Sequence, residues 1–497
     1  MDYQTKRKHI IIIFSVILSI LVVYTVIGSV LVTRDLQAQA LASERGRLQN
    51  SSRGRLHSTE RGRLAEANIT ENQKGTEENP DGADQGDRIA AVQNRLVRQP
   101  LVTPRGNGED TVTVMVYMNG SNLETDYGFA TQDIREMLKA PYNEKVNIVI
   151  ETLGTKKWQD YGIMNDHTQR FILDEKDVLL VDDTLDQLDC TDPDTLTDFI
   201  TWSAKKYPAD RYFLILWDHG GGAVDGFGWD QYRRYDASLT IDELQQSLKE
   251  AGVVFDFIGM DACIMSSIET CYAVYDYCDY CILSEDFESA LGWSYEGWLT
   301  ALSENTSIDT VSLGTILVDD MVAANRNNRY EGDSSTLALI DERYIPSAFD
   351  SWMSFAYANE AALLTTNFSR EVARTGRALP ACRVSSDLQE YYITDLLALA
   401  VSIDSRETKG LVSRLAAAVA YYNCTDDNLG LTGLAVTLPY GDNSFYSSME
   451  RVYANIGIDK RYVEWLSKFP ENADSSEYYD YEEFNQSWSG WEEYSGN

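Results

Sequence analysis

DFIGMDACIMSSIE, residues 256 to 269, places a thiol at the end of an apolar run and two residues after a carboxylate. FDFIGM (255 to 260) reads as a buried strand, and from Ile264 the apolar spacing turns helical. A strand that hands over to a helix through Asp261-Ala262-Cys263 is a unit of a parallel α/β sheet. In such sheets reactive groups gather at the carboxyl ends of the strands. Cys263 is then either a small core residue or a nucleophile, and Asp261 either a strand-end cap or a working acid.

The neighbouring stretches extend the pattern. TVTVMVYM (111 to 118), VNIVIETL (146 to 153), DVLLV (177 to 181), RYFLILW (211 to 217) and YCILS (280 to 284) are strand-like. Helical periodicity fills the gaps, as in DTLTDFITWSAKKY (194 to 207), where Leu196, Phe199, Ile200 and Ser203 share a face. Alternating strands and helices predict a mostly parallel sheet flanked by helices on both faces. Beyond about residue 335 the texture changes. STLALID and GLAVTLP look like strands, and DLQEYYITDLLALAVSI and ETKGLVSRLAAAVAYY look like helices of a C-terminal region tied back to the sheet.

LILWDHGGG (214 to 222) is a second strand end that carries chemistry. Of the four histidines, His9 borders an apolar run, His57 lies in a polar linker and His167 in the polar NDHTQR. Only His219 follows a core strand. In parallel strands, His219 and Cys263 fall on one edge of the sheet, where an imidazole can take the thiol proton and the thiolate attack a carbonyl. Gly220, Gly221 and Gly222 are either a plain flexible loop or a place where backbone N–H groups face a ligand. Seven cysteines are an odd number, so at least one thiol stays free. Cys271 reads as core. Cys278 and Cys281 form a lone CxxC, without the second pair or histidines that zinc needs, and read as a disulfide or two buried thiols.

The chain has 497 residues, 44% apolar content and a formal charge of −36. That balance argues against nucleic acid as a partner, because phosphate binding needs a basic surface. Lys6, Arg7 and Lys8 precede the apolar run Ile10 to Val32, which is long enough to span a bilayer with the C-terminus outside. A cleaved signal peptide is the alternative, with Ala38-Gln39-Ala40 as its site and a secreted or shed form as its product. The expected organisation is a cytoplasmic end (1–9), a transmembrane anchor (10–32) and an Arg-rich disordered stalk (33–110). A catalytic core (111–330), a C-terminal α/β region (331–470) and an acidic aromatic tail (471–497) follow. Repeats of RGRL between Arg45 and Arg63 make the stalk either a plain spacer or a set of exposed cleavage sites.

LILWDHGGG, DACIMSSIE and SEDFESALGWSYEGWL (284 to 299), together with YMNGSNLE (117 to 124), resemble the clostripain family of cysteine peptidases. The resemblance runs through roughly residues 110 to 440. It implies the caspase-like α/β fold shared with gingipains, legumains and caspases. It also implies a dyad of His219 and Cys263, with oxyanion donors at Gly220 and Cys263, and cleavage after arginine with lysine as the alternative. Asp261 would help form the primary pocket, and the loop with Ser284, Glu285, Asp286 and Trp293 would supply its walls, with Glu285, Asp286 and Glu288 as alternatives for the acid that faces substrate. A carboxylate there suits a guanidinium on physical grounds as well. Self-processing in the family places candidate cuts in QYRRYD, at Arg233 and Arg234. Family members can require calcium. The sequence itself has no calcium-loop spacing and demands no metal or cofactor. The expected partners are proteins or peptides with basic residues, and the membrane. The competing readings are a peptidase of the same fold with another specificity and an inactive surface-binding protein of that fold.

Overall fold

In the computed structural model, residues 97–233, 237–289, 291–326, 335–364, 393–403, 405–425, 428, 430–439 and 443–471 are described. The apolar run 10–32, the RGRL repeats, Arg234, Cys382 and the tail beyond residue 471 lie outside them. Among the described residues no helix is long and apolar enough to cross a membrane.

The β-branched and apolar runs become strands where the sequence places them. They are β1 (Val112–Asn119), β2 (Val146–Leu153), β3 (Gln169–Asp174), β4 (Asp177–Asp182), β5 (Arg211–Trp217), β6 (Phe255–Asp261), β7 (Cys278–Leu283) and β8 (Thr336–Asp341). Beyond them come β9 (Ile393–Asp395), β10 (Val419–Cys424) and β11 (Ala435–Thr437). Nine of these make one sheet in the order β10-β8-β7-β6-β5-β1-β2-β3-β4. The five strands β7, β6, β5, β1 and β2 are parallel neighbours. Antiparallel strands close both edges.

The continuous apolar character of the central strands follows from their two buried faces. In β5, Leu214 and Leu216 enter one core while Phe213, Ile215 and Trp217 enter the other. Helices Pro193–Lys206, Ile241–Ala251 and Ile268–Val274 contribute to the first core, and Phe129–Met137, Tyr295–Glu304 and Thr310–Asn325 to the second. The four residues placed on one face of the first of these helices are all buried. At the amino ends of β5 and β6, the guanidinium of Arg211 donates from Nε and Nη2 to both oxygens of Asp256, each at 3.1 Å. That buried fork fixes the register of the two strands whose opposite ends carry the candidate chemistry.

Several expectations change. The run through 407–422 is not helical throughout: the helix stops at Ala418 and VAYYNC turns into β10. β-branched and aromatic residues pair well on a pleated edge, and that outweighs the helical start. GLAVTLP yields only β11, which pairs with β9 in a separate two-stranded sheet. The strand β3 has no counterpart among the expected runs. β4 is an edge strand with Leu179 and Leu180 exposed rather than a core strand. β8 and β10 continue the same sheet past residue 330, and the boundary drawn there falls in 327–334, outside the described residues.

The end of the expected stalk is also corrected, because residues 97–110 are bound to the core. Asp279 accepts from the backbone N–H groups of Leu101 and Val102 and from Arg98, all within 2.9 Å. A carboxylate held this way ties the segment to β7.

Burial of acids without cations sets a pH dependence of stability. Burial pushes Asp218 and Glu269 up to about 8. Their folded pKa values stand above the roughly 4 of an unfolded chain, so the folded state holds protons that the unfolded state releases between about pH 4 and 8. Stability contributed by these groups is full below pH 4 and is lost as pH rises through 8. The Tm is expected to fall by roughly 5 °C or more between pH 5 and 9, and Glu269→Gln should flatten that slope. Calorimetry across the range checks it, and a Tm that rises toward pH 9 would contradict the assignment.

Candidate active site

Adjacent parallel strands bring the two candidate segments together. Trp217 of β5 pairs with Asp261 of β6, and the Asp218 N–H donates to the Asp261 carbonyl at 3.3 Å. His219-Gly220 therefore runs alongside Ala262-Cys263. The approach is close enough to require glycine: a Cβ on Gly220 would lie 2.0 Å from the Cys263 carbonyl oxygen. The Gly220 N–H makes no hydrogen bond among the described residues, while Gly221 and Gly228 tie the flanks of the turn to Gly226 and His219.

Cys263 is half-buried, unlike the other described cysteines, which are all buried. Its Sγ accepts from the Glu288 N–H at 3.3 Å and contacts the Glu288 carbonyl oxygen at 3.8 Å. Ile264, immediately after it, has φ +54°, a rare conformation for a β-branched residue. The surroundings hold this strained turn. Ile264 N–H donates to the Asp286 carbonyl at 3.0 Å, Ser266 N–H to the Ser284 carbonyl at 2.7 Å, and Ser266 Oγ to the Gly433 carbonyl at 2.6 Å. The turn presents the thiol where the strand ends, before the helix Ile268–Val274 begins.

His219 is also half-buried, and burial lowers its pKa, so the neutral ring prevails near pH 7. Its Nε2 lies 2.7 Å from Asn122 Oδ1, and the Trp229 ring packs 6.3 Å away. The preceding carboxyl, Asp218, is a structural hub. It accepts from Asn119 Nδ2 at 2.5 Å, Ser121 Oγ at 2.6 Å and Trp229 N–H at 2.6 Å. Thus the turn after β1 clamps the end of β5.

Asp261, two residues before the thiol, belongs to a cluster of buried acids with Glu288 and Asp133. Asp261 Oδ2 accepts from Trp293 N–H at 3.1 Å and Tyr295 OH at 2.9 Å, and burial pushes its carboxyl up to about 6. Glu288 is half-buried as a residue, yet both its carboxylate oxygens are buried without a hydrogen-bond donor. Burial and the neighbouring Asp261 raise it well above the usual range. Asp133, raised by burial and by Asp261, accepts from Trp217 Nε1 at 2.7 Å. Gly292, at φ +62°, packs so closely that a Cβ would lie 2.9 Å from Asp261 Oδ1. Among the described residues no Lys or Arg forms an ion pair with Asp261, Glu288 or Asp133.

The expected pocket residues divide. Asp261 and Trp293 adjoin Cys263 through the Glu288 loop. Ser284, Glu285 and Asp286 instead brace that loop from behind. Ser284 Oγ donates to the Asp286 carbonyl at 2.8 Å, Glu285 Oε2 accepts from Gly433 N–H at 2.7 Å, and Asp286 Oδ2 accepts from Asn428 at 2.9 Å. Arg233 sits apart at the surface, its Nε 3.1 Å from Asp189. Cys278 and Cys281 are buried thiols with sulfurs 3.7 Å apart. The sequence reading left Glu285, Asp286 and Glu288 as alternatives in the pocket loop, and it did not single out Asn122. Asn122 lies within YMNGSNLE, and the Asn-rich turn after a core strand was the available signal.

The one group of three metal-type ligands close enough together among the described residues is Asp189, Cys190 and Asp230. It suits calcium poorly. One ligand is a soft thiol whose protonated form burial favours, and Asp189 is already engaged by Arg233.

The fold is a mixed α/β one, a mostly parallel sheet flanked by helices, with a thiol and an imidazole at adjoining strand ends. Residues 116–494 match the model of the clostripain family, and the chain belongs to that family of cysteine peptidases. It is 28% identical over 210 residues to clostripain of Hathewaya histolytica, covering 36% of this chain and 39% of that protein, so well under half of that relative's length is spanned. Solved structures share the fold. A secreted C11 cysteine protease from Bacteroides thetaiotaomicron, in complex with an irreversible peptide inhibitor, matches at TM-score 0.54 and 21% identity, over 72% of this chain and 98% of its own. An inactive zymogen C11 protease from Parabacteroides distasonis matches at TM-score 0.50 and 19% identity, over 74% and 99%.

Proposed function

We propose that the chain is an endopeptidase that cleaves after arginine, with lysine as second choice, through Cys263 and His219. His219 takes the thiol proton, Sγ attacks the scissile carbonyl, and the N–H groups of Gly220 and Cys263 receive the oxyanion. The imidazolium returns the proton to the leaving amine. Water then hydrolyses the thioester and frees the enzyme.

The observation that carries the specificity is the pair Asp261 and Glu288, buried beside the thiol with no basic partner among the described residues. Buried carboxyls without a cation stay partly protonated, and an entering guanidinium offers the charge and the forked donors that their ionised forms need. The same specificity makes Arg233 and Arg234 substrates for self-processing. The apolar run Ile10–Val32 supports a membrane-anchored enzyme whose catalytic part lies outside the cytoplasm.

Peptides that differ only in Arg, Lys, Asp or Leu before the scissile bond test the reading. Arginine is expected to exceed leucine in kcat/KM by about 10²-fold or more, with lysine between them. Equal rates on arginine and leucine would remove the specificity, and no hydrolysis of any peptide would remove the activity.

A further inference from the structure

We propose that Asn122 is a positioning residue for His219: its Oδ1 accepts the Nε2–H and selects the tautomer whose Nδ1 carries the lone pair. The inference rests on the dyad reading above and adds a third residue to it.

The geometry supports it in three ways. The Nε2···Oδ1 distance is 2.7 Å, and Nδ1 has no hydrogen-bond partner among the described residues. An amide oxygen accepts and does not donate, so this contact holds one proton on Nε2 and leaves the opposite nitrogen to take the thiol proton. The acceptor is itself anchored. Asn122 follows Ser121, whose Oγ donates to Asp218 at 2.6 Å, and Asp218 precedes the histidine that Asn122 holds. Ser121 adopts φ +41°, an uncommon conformation for a residue other than glycine, and the bond to Asp218 secures it. Finally, the leucine that follows starts the helical turn Leu123–Tyr127, where Gly120 receives the Glu124 N–H at 2.8 Å, so Asn122 is fixed from both sides.

The groups around the ring explain why a neutral acceptor suffices. Trp229 is aromatic, and burial pushes Asp218 up to about 8, which reduces its negative charge near pH 7. Burial alone is the cause of the lowered His219 pKa, and no carboxylate raises it. A carboxylate in place of Asn122 would stabilise the imidazolium and weaken the base at neutral pH, whereas an amide orients the ring without charging it.

The test compares wild type with Asn122→Ala, Asn122→Asp and His219→Ala in the full chain, on an arginine peptide, across pH 5 to 9, with melting curves to confirm folding. Asn122→Ala is expected to lower kcat by about 10- to 100-fold with KM within about 2-fold, short of the 10²–10⁴-fold loss expected for the base itself. Asn122→Asp keeps an acceptor, so it should recover much of kcat at high pH while moving the acid limb of the profile upward by about one unit or more. A merely structural role would not move that limb. Full activity in Asn122→Ala with His219→Ala inactive overturns this proposal alone. So does an unmoved limb in Asn122→Asp, which decides the matter should the alanine variant fail to fold. Retained activity in His219→Ala overturns the dyad and this proposal together.

Discussion

Cys263→Ala is expected to fold normally and to hydrolyse arginine peptides at least about 10⁴-fold more slowly than wild type. The loss is large because the attacking atom is removed, while everything that positions it remains. Cys263 is half-buried, so deleting its sulfur leaves a small, partly solvated gap, and the stability change should stay near 1 kcal/mol. The braces on Ile264 and Ser266 come from backbone groups and Ser266 Oγ, none of which changes. The same variant, purified alone, should remain uncut at Arg233 and Arg234. A cut at the same place would show that another enzyme makes it. Exposure offers a second check. Among the described cysteines only Cys263 is half-buried rather than buried, so brief alkylation of the native wild-type protein should mark it before Cys190, Cys271, Cys278, Cys281 or Cys424.

Much of this candidate site was legible because it lies where buried strands end. RYFLILW and FDFIGM are apolar throughout because both faces are covered, and their final residues must then lie on one edge of a parallel sheet. His219 and Cys263 follow from that alone. Their supports do not, because they are tertiary. Asn122 reaches His219 across 97 residues of chain, and Glu285 reaches Gly433 across 148. No local spacing encodes either contact. The strand β10 was hidden for a related reason. Its VAYYNC continues a helical run, and only pairing with β8 decides in favour of strand.

The acids of SEDFESALGW illustrate a finer limit. Glu285, Asp286 and Glu288 are chemically alike and lie within four positions. Which of them comes next to Cys263 depends on backbone pairing between 284–286 and 264–266. That pairing turns Glu285 and Asp286 toward Gly433 and Asn428, and leaves Glu288 with its backbone N–H on the Cys263 sulfur and its carboxyl beside Asp261. The positive φ of Ile264, on which the presentation of Cys263 depends, has no sequence signal either, since isoleucine is a residue that ordinarily avoids it.

Asp261→Asn is expected to lower kcat/KM on an arginine peptide by about 10²–10³-fold while changing a leucine peptide by less than about 3-fold. The substitution keeps the size of the side chain and one oxygen that Trp293 N–H and Tyr295 OH can still reach, so the 292–295 loop should hold. It removes the charge, and it puts an amide donor next to the Glu288 carboxyl. Glu288 would then have a neutral partner and less need of a guanidinium. Glu288→Gln is the informative companion. Asp261 already accepts two hydrogen bonds, whereas neither oxygen of Glu288 receives one, so Glu288 has more to gain from the substrate cation. If both variants lose arginine selectivity, the two acids read the cation jointly. If only Glu288→Gln loses it, Asp261 holds the loop and Glu288 reads the substrate. If neither does, arginine is recognised elsewhere and the acidic pocket is structural. The measurement is kcat/KM on the paired peptides at fixed ionic strength, since screening would otherwise blur a difference that is electrostatic in origin.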